Sequence, residues 1–445
     1  MAAGFGALFD KRTMNKKFPY RYRILIFLFF LTFITYLDRI CISLAGVRIQ
    51  SEFNLSNEKW GWVVGAFSLA YALFELPSGI LGDRIGQRAV FIRIVTWWSL
   101  FTILTGLTNG LLSLIVVRFL FGIGESGAYP TSSAVISHWF PTTETSRGLS
   151  ALFIGQNAGS ALAPLIVIPI AIALGWRASF FVNGLIGLIW VVVCVLWFRN
   201  NPSEIKGISE EEKKYIETTR RFVTHQKYFP WKIALKSKSL RALVVAFFCT
   251  QWAQYFFVAW MPIYLQKGRH FTENEMKNIV FYFFAVGIAG VLSAGVLSDW
   301  IAKKRGLLFG RKLLGFLALS ILTLSFLAAA VTSSNIIVVA SLYVAQLCYS
   351  FIPVVFFSVC VDIGGDRVGT VTGIMNFFGQ MGAFFLALTF GKIADLAHSF
   401  DTPMFIIAAV LFTGSLLWLL VDPTRKIDAS ELKTNQPLQP GSQFA

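Results

Sequence analysis

The sequence predicts an all-α membrane protein whose twelve transmembrane helices form two pseudo-symmetric halves of six helices each. Of its 445 residues, 56% are hydrophobic and only 14% are charged, whereas about a quarter of the residues in a soluble protein are charged. Apolar runs of about 20 residues, the length that crosses a bilayer as a helix, recur along the whole chain. A short motif also occurs once in each half, as GILGD at 79–83 and as GVLSD at 295–299.

The apolar runs place the predicted helices at 22–45, 60–82, 89–108, 111–136, 147–174 and 178–198, then at 240–265, 277–302, 311–332, 335–361, 368–394 and 402–421. The chain therefore divides into an N-terminal arm, two helical bundles with a linker between them, and a tail, over residues 1–21, 22–198, 199–239, 240–421 and 422–445. Inside the linker, Ser209 and Glu212 have the spacing of a capping box, which predicts a short surface helix.

The basic residues predict the orientation of the chain in the membrane. Six lysines and arginines precede the first apolar run, Ile24 to Ile34, and no small-residue cleavage site follows it, so it predicts a membrane helix and not a cleaved signal peptide. With the N-terminus inside, 30 of the 39 basic residues lie on the cytoplasmic side and 6 lie outside. We therefore expect a multi-pass protein of the inner membrane with both termini cytoplasmic. The net charge of +16 then reflects this topology and not a nucleic-acid partner.

Several function classes are disfavoured by the motifs. The five cysteines do not form a metal-ligand spacing such as C-x-x-C, so we expect them to be packing residues and expect neither a metal nor another cofactor. The sequence has no nucleophile elbow and no phosphate-binding loop, which disfavours an enzyme or an ATP-driven pump. A membrane sensor remains an alternative, although the longest loop, of about 40 residues, is small for an output domain.

Charged residues inside the predicted spans mark a candidate site. Arg118 and Glu125 lie seven residues apart in VRFLFGIGESGAYP, so they share one helix face about 10 Å apart along the axis. A charge near the bilayer centre costs at least about 2.5–3.5 kcal/mol, so each needs a partner on another helix. Asp38 and Arg39 in the first span are the available partners. The alternative that these charges only brace the helices stays open.

Two sets of motifs resemble a known family. The stretch GILGDRIGQR, residues 79–88, closely resembles the signature loop of the major facilitator superfamily, and the second copy resembles it in part. TYLDR at 35–39, GIGESGAYP at 122–130 and residues 176–204 resemble the anion:cation symporter family, which includes bacterial hexuronate, galactonate and glucarate permeases and the sialic acid and vesicular glutamate carriers. The resemblance implies the major facilitator fold and a gating motif formed by Gly79, Asp83, Arg84, Gly86, Arg88, Gly295 and Asp299.

Our hypothesis for the membrane charges is that Asp38 and Glu125 bind the coupling protons close to Arg118. Burial favours the protonated form of a carboxyl group and a nearby arginine opposes this, so movement of the arginine would switch proton affinity. Arg39 offers two parallel hydrogen bonds to a substrate carboxylate. The resemblance implies the same roles for these residues, while a purely structural role of Arg39 beside Asp38 remains an alternative.

Polar residues in the spans are candidates for contacts with substrate hydroxyl groups. Tyr36, Tyr71, Gln156 and Asn376 match family positions that resemble sugar-acid contacts. Asn157 and the i, i+4 pair of Gln251 and Tyr255 are further candidates. Hydrogen bonding between helices is the alternative role for each of them. For Glu75, in the second span, a structural charge and a third titrating group both remain open.

The sequence therefore predicts a monomeric symporter that imports a small organic anion with protons by alternating access. A sugar acid, either a hexuronate, an aldonate or an aldarate, is the expected substrate. Two matching halves that rock about a central site agree with this mechanism. The alternatives are a carrier of another organic or inorganic anion that is driven by sodium or by exchange, and a membrane sensor without transport.

Overall fold

The computed structural model describes residues 19–141, 144–205, 207–219, 237–364 and 368–424. Within these ranges the chain forms twelve long helices, which are labelled α1 to α12. In the first half they are Tyr20–Leu44, Asn57–Ile85, Gln87–Thr105, Leu111–Trp139, Thr145–Leu174 and Trp176–Trp197. In the second half they are Lys238–Gly268, Glu273–Arg305, Leu307–Val331, Asn335–Gly364, Val368–Ala397 and Thr402–Trp418.

The length and apolarity of these helices confirm the predicted fold class. Ten helical stretches in the described ranges are long and apolar enough to cross a membrane. Helix α2 has 29 residues, and α12 is a shorter apolar helix of 17 residues. Because the number of crossings is even, both ends of the described chain lie on the same side of the helical bundle. We call this side the terminal face and the other side the opposite face.

Helix α4 is broken immediately after Glu125, which corrects the prediction of one continuous helix. Its first part is Leu111–Glu125 and its second part is Ala128–Trp139. Pro130 has no N–H to bond the carbonyl of Ser126, four residues earlier, and its ring clashes with that carbonyl. Proline therefore interrupts the helix at Ser126 and Gly127, before its own position in the chain.

The linker helix is connected to the start of α1. It spans Glu210–Thr219, and the hydroxyl of Ser209 accepts the Glu212 N–H at 3.2 Å, as a capping box requires. The Glu212 carboxylate instead accepts the backbone N–H groups of Tyr20 at 3.0 Å and Arg21 at 3.2 Å. Arg21 also pairs with Glu144 at 3.0 Å. The predicted capping box is thus half formed, and its acidic member caps a different helix.

The two halves contact each other mainly along α2 with α11 and along α5 with α8. Asp395 on α11 accepts the Asn57 side-chain N–H at 2.7 Å and the Glu58 backbone N–H at 2.8 Å, at the start of α2. Arg48, which follows α1, pairs with Glu273 at the start of α8 at 2.7 Å. These contacts all lie at the opposite face, so the halves are closed against each other there.

Close backbone contact between α2 and α11 depends on glycine. A Cβ atom at Gly61 would lie 2.4 Å from the Ala387 carbonyl oxygen, and one at Gly391 would lie 2.1 Å from the Asn57 carbonyl oxygen. At each of these glycines the backbone of the other half lies so close that an alanine side chain would collide with it. The closed arrangement of the opposite face needs both of them.

The predicted gating motif lies at the turn between α2 and α3. Gly86 has a φ of 83°, and Asn200, which follows α6, accepts the Arg88 backbone N–H at 2.8 Å. Gly79 lies within α2, where a Cβ atom would lie 3.5 Å from Pro130, and Arg84 is exposed. Gly295 and the side chains of Asp83 and Asp299 lie outside what the structure describes. The described bonds of this turn join elements of the same half, and their gating role stays a prediction.

Candidate functional site

Arg39 and Glu125 form a buried ion pair between α1 and α4. The Arg39 Nε–H donates to Glu125 Oε1, and Glu125 is fully buried. Arg39 Nη1 also donates to the Tyr36 hydroxyl at 3.4 Å. Among the described residues, Arg39 Nη2 and the second oxygen of Glu125 have no hydrogen-bond partner. The pair therefore retains one free donor and one free acceptor.

Three aromatic rings surround the Arg39 guanidinium group. Its central carbon lies 4.8 Å from the Tyr36 ring, 4.9 Å from the Phe67 ring and 4.8 Å from the Tyr71 ring. Rings within about 6 Å attract a cation electrostatically and do not occupy its N–H groups. The aromatic residues thus hold the guanidinium group in place without occupying its N–H groups, of which Nη2 has no partner among the described residues.

Asp38, the residue before Arg39 in α1, is a second buried acidic residue near this pair. It is 1% exposed, and neither carboxylate oxygen has a hydrogen-bond partner among the described residues. Glu125 and Arg118 are close enough to interact with it electrostatically. A buried carboxylate that lacks hydrogen bonds is costly in its charged form. Glu125 is thus within electrostatic range of both consecutive residues and is hydrogen-bonded to Arg39, which agrees with their separation of about 100° on a helix.

Arg118 lies on the side of Arg39 that is nearer to the opposite face. Its guanidinium carbon is 4.4 Å from the Phe121 ring and 5.2 Å from the Phe67 ring. Arg39, Arg118 and Tyr255 line a cavity of about 10 Å³, which is room for about one water molecule. The hydroxyl of Tyr255 donates to the Val64 carbonyl at 2.6 Å, from α7 to α2. This tyrosine thus closes the site toward the opposite face, and its hydroxyl is already bonded.

Polar side chains from both halves meet on the other side of Arg39. Asn376 on α11 donates to the Glu75 carboxylate on α2 at 3.3 Å, and Gln346 on α10 donates to Asn157 on α5 at 3.1 Å. Of the hydrogen bonds between the halves that are described here, these two lie nearest to the terminal face. Asn376 is nevertheless partly exposed, about two turns after the start of its helix. The space between the halves at this level is therefore accessible to solvent.

The remaining predicted contacts are paired within their own half. The Tyr129 hydroxyl donates to Gln156 at 2.6 Å, and the Tyr349 hydroxyl donates to Gln251 at 3.1 Å. The structure thus brings Tyr36, Tyr71 and Arg39 into direct contact, whereas Gln251 and Tyr255 face different partners although they are one turn apart.

Four neighbours of the site were not predicted from the sequence. They are Phe67, Tyr129, Gln346 and Tyr349. Tyr129 is four residues after Glu125, which is the spacing of one helix face, and Gln346 and Tyr349 are polar residues within an apolar span. These signals are present in the sequence. Phe67 has no such signal, since phenylalanine is abundant throughout the chain.

Comparison with known proteins identifies the family. The sequence profile of the Major Facilitator Superfamily matches residues 28–387. The chain belongs to this superfamily. It is 30% identical to the hexuronate transporter of Bacillus subtilis over 399 residues, which cover 88% of this chain and 91% of that protein. This match confirms the resemblance that the motifs indicate.

Further relatives of this superfamily member are also transporters. It is 29% identical to the probable sulfoacetate transporter of Cupriavidus necator, with 95% of this chain and 99% of that protein covered. It is 28% identical to the D-galactonate transporter of Escherichia coli, with 90% and 95% covered. The superfamily and these relatives are transporters and not enzymes.

A solved structure agrees with the fold. A bacterial homologue of the human lysosomal transporter Spinster, in an inward-facing and occupied conformation, superposes with a TM-score of 0.74. The two sequences are 18% identical, and 91% of this chain and 97% of that chain are covered. At this identity the likeness supports the major facilitator fold alone.

Proposed function

We propose that the chain imports an organic anion together with protons, and that the substrate is a sugar acid. The observation that carries this proposal is the Arg39–Glu125 pair, because Arg39 keeps a free donor while it stands among aromatic rings. A planar guanidinium group suits a carboxylate, which it binds through two parallel hydrogen bonds. The relatives that carry hexuronate and D-galactonate support a sugar acid as the substrate.

Competition for Arg39 supplies the coupling between anion and proton. When Glu125 is ionised it neutralises Arg39, and an incoming carboxylate has to displace it. When Glu125 is protonated, Arg39 becomes an unpaired buried charge, which is strongly unfavourable. An anion then restores the balance. Protonation of Glu125 and binding of the anion thus favour each other, which is the condition for symport.

Asp38 is the second proton site in this proposal. It has no hydrogen-bond partner among the described residues and is within electrostatic range of Arg118. Arg118 in turn borders the small cavity beside Arg39. A change of charge at Glu125 therefore acts on Asp38 directly as well as through Arg118, without direct contact between Asp38 and the substrate.

Transport by the purified protein in liposomes tests the proposal. Candidate ligands are first selected by their effect on the thermal unfolding temperature, with hexuronates, aldonates, aldarates and sulfoacetate as the panel. The selected ligand is then offered under a pH gradient, under a sodium gradient, and with unlabelled ligand inside the liposomes. We expect accumulation under the pH gradient alone. Accumulation that follows sodium and ignores pH would contradict proton coupling, and uptake seen only with internal ligand would indicate an exchanger.

A further inference from the structure

Glu75 is a buried carboxylate that the proposed coupling does not use. It lies in the middle of α2 with 7% of its surface exposed. Its described hydrogen bond comes from Asn376 at 3.3 Å, across the space between the two halves. A carboxylate at this position is costly to bury, and Asn376 contributes one neutral donor only. The cost of burying a carboxylate in the space between the two halves indicates that Glu75 has a function there.

The position of Glu75 relative to Arg39 suggests this function. The Arg39 guanidinium group contacts the ring of Tyr71, and Glu75 lies one turn further along α2 on the same face. The two α2 positions are about 6 Å apart along the helix axis. Glu75 also interacts electrostatically with Arg39. A ligand that leaves Arg39 toward the terminal face would thus pass directly beside the Glu75 carboxylate.

We propose that Glu75 makes the carrier selective for sugar acids that have a single carboxylate. This inference rests on the proposed function, since it requires one carboxylate of the substrate to bind Arg39. The far end of a six-carbon acid then lies next to Glu75. In galactonate that end is a hydroxyl group, which donates a hydrogen bond to the carboxylate. In galactarate it is a second carboxylate, which Glu75 repels at short range in a site that water screens poorly.

Three ligands of the same carbon skeleton separate charge from size. They are galactonate, galactarate and the monoamide of galactarate, whose far end has the shape of a carboxylate but no charge. Binding to the full-length wild-type protein is measured near pH 7 from the concentration dependence of the thermal unfolding temperature. We expect similar affinities for galactonate and the monoamide, and an affinity for galactarate at least about tenfold lower, which corresponds to about 1.4 kcal/mol.

The Glu75→Gln variant tests the residue itself. Glutamine has the same shape and can still accept the Asn376 N–H, so we expect galactarate to bind within about twofold of galactonate. The matched control is Glu217→Gln, which removes a carboxylate from the exposed face of the linker helix and should preserve the wild-type ratio.

Each outcome separates this inference from the function on which it rests. Equal binding of galactonate and galactarate by the wild-type protein would contradict the inference alone. So would weak binding of the monoamide, because size would then decide, or an unchanged ratio in Glu75→Gln. If the wild-type protein binds none of the sugar acids, the proposed function is wrong and the inference fails with it. The ligand series gives its answer without any variant, even if Glu75→Gln does not fold.

Discussion

Arg39 makes contacts that a lysine cannot reproduce. Its flat guanidinium group is held among three rings, donates to Tyr36 and Glu125, and keeps a further N–H for a ligand. A lysine ammonium group retains the charge but neither the flat shape nor the forked donors. The conservative substitution therefore separates the geometry of this site from its charge.

We predict that Arg39→Lys weakens binding of the sugar acid by about 2–3 kcal/mol, because one carboxylate loses a pair of charge-assisted hydrogen bonds. The affinity is measured through thermal unfolding at increasing ligand concentration. Arg177→Lys is the control, since this arginine pairs with Glu52 at the opposite face and its side chain is 38% exposed. Affinity equal to that of the wild type would exclude Arg39 as the carboxylate ligand.

The Glu125→Gln variant is expected to separate accumulation from exchange. Glutamine resembles the protonated form of Glu125, so the anion can still bind, but no proton is released when it leaves. We expect pH-driven accumulation in liposomes to fall at least about tenfold, while exchange of labelled for unlabelled substrate continues. Retained accumulation against a gradient would show that Glu125 does not carry the coupling proton.

The site could be predicted in part because polar residues are conspicuous in apolar helices. Asp38, Arg39, Arg118 and Glu125 are visible from the cost of burying a charge. Their pairing is not visible, because helix rotation decides whether Asp38 or Arg39 faces α4. Bonds such as that of Tyr255 to the Val64 carbonyl also escape prediction, since every backbone carbonyl is an equally good acceptor in the sequence.

At the level of elements, α2 and α11 form the described closure at the opposite face. A Cβ atom at Gly61 would collide with the carbonyl of Ala387, which belongs to the other half. A Cβ atom at Gly159 would lie 2.1 Å from the Phe33 carbonyl oxygen, within the N-terminal half. The two glycines make equally tight contacts, but only the first contact can be relieved by rocking of the halves.

We therefore predict different effects of the same substitution at these two positions. Gly61→Ala should open the opposite face, because a ligand-free protein populates the state that removes the collision. Gly159→Ala should lower the free energy of unfolding by about 1–3 kcal/mol, because the collision stays within one bundle. Spin labels on the two halves at the opposite face measure the first effect, and thermal unfolding measures the second. A Gly61→Ala variant with unchanged label distances would contradict the prediction.

Asp395 gives a second way to weaken the same closure. Its carboxylate caps the start of α2 from the other half, so Asp395→Ala should increase the distance between the halves at the opposite face. Glu58→Ala is the matched control, because Glu58 contributes its backbone N–H to this contact and an alanine keeps that group. The same spin labels measure both variants. Equal distances in the two variants would exclude Asp395 as a closing contact.

The helices themselves were well predicted, since an apolar run in a membrane is a helix whatever its packing. The differences arise where local chemistry changes the winding of the chain. Pro130 breaks α4 at Ser126, four residues before the proline itself. Helix α7 contains two π-helical turns, Phe256–Trp260 and Tyr264–Gly268, on either side of Pro262. A hydropathy pattern has no signal for such turns.

For the whole molecule, the distribution of basic residues predicts that the terminal face is cytoplasmic. We expect a fluorescent protein fused after the tail to be fluorescent, and alkaline phosphatase at the same position to be inactive. A fusion in the connection between α7 and α8 should give the reverse result. Active phosphatase at the tail would invert the topology, and the closed opposite face would then be the cytoplasmic one.

The hydrogen bond between the amide groups of Gln346 and Asn157, which joins the two halves, has a kinetic consequence. A substrate hydroxyl that replaces Asn157 on Gln346 exchanges one hydrogen bond for another, so this exchange adds little net free energy. If Arg39 binds the substrate as proposed, we expect affinity to come mainly from its carboxylate. As the substrate departs, the two amides bond to each other again, and no buried donor is left without a partner. We therefore expect a short residence time of the substrate, which suits a protein that has to release its cargo in every cycle.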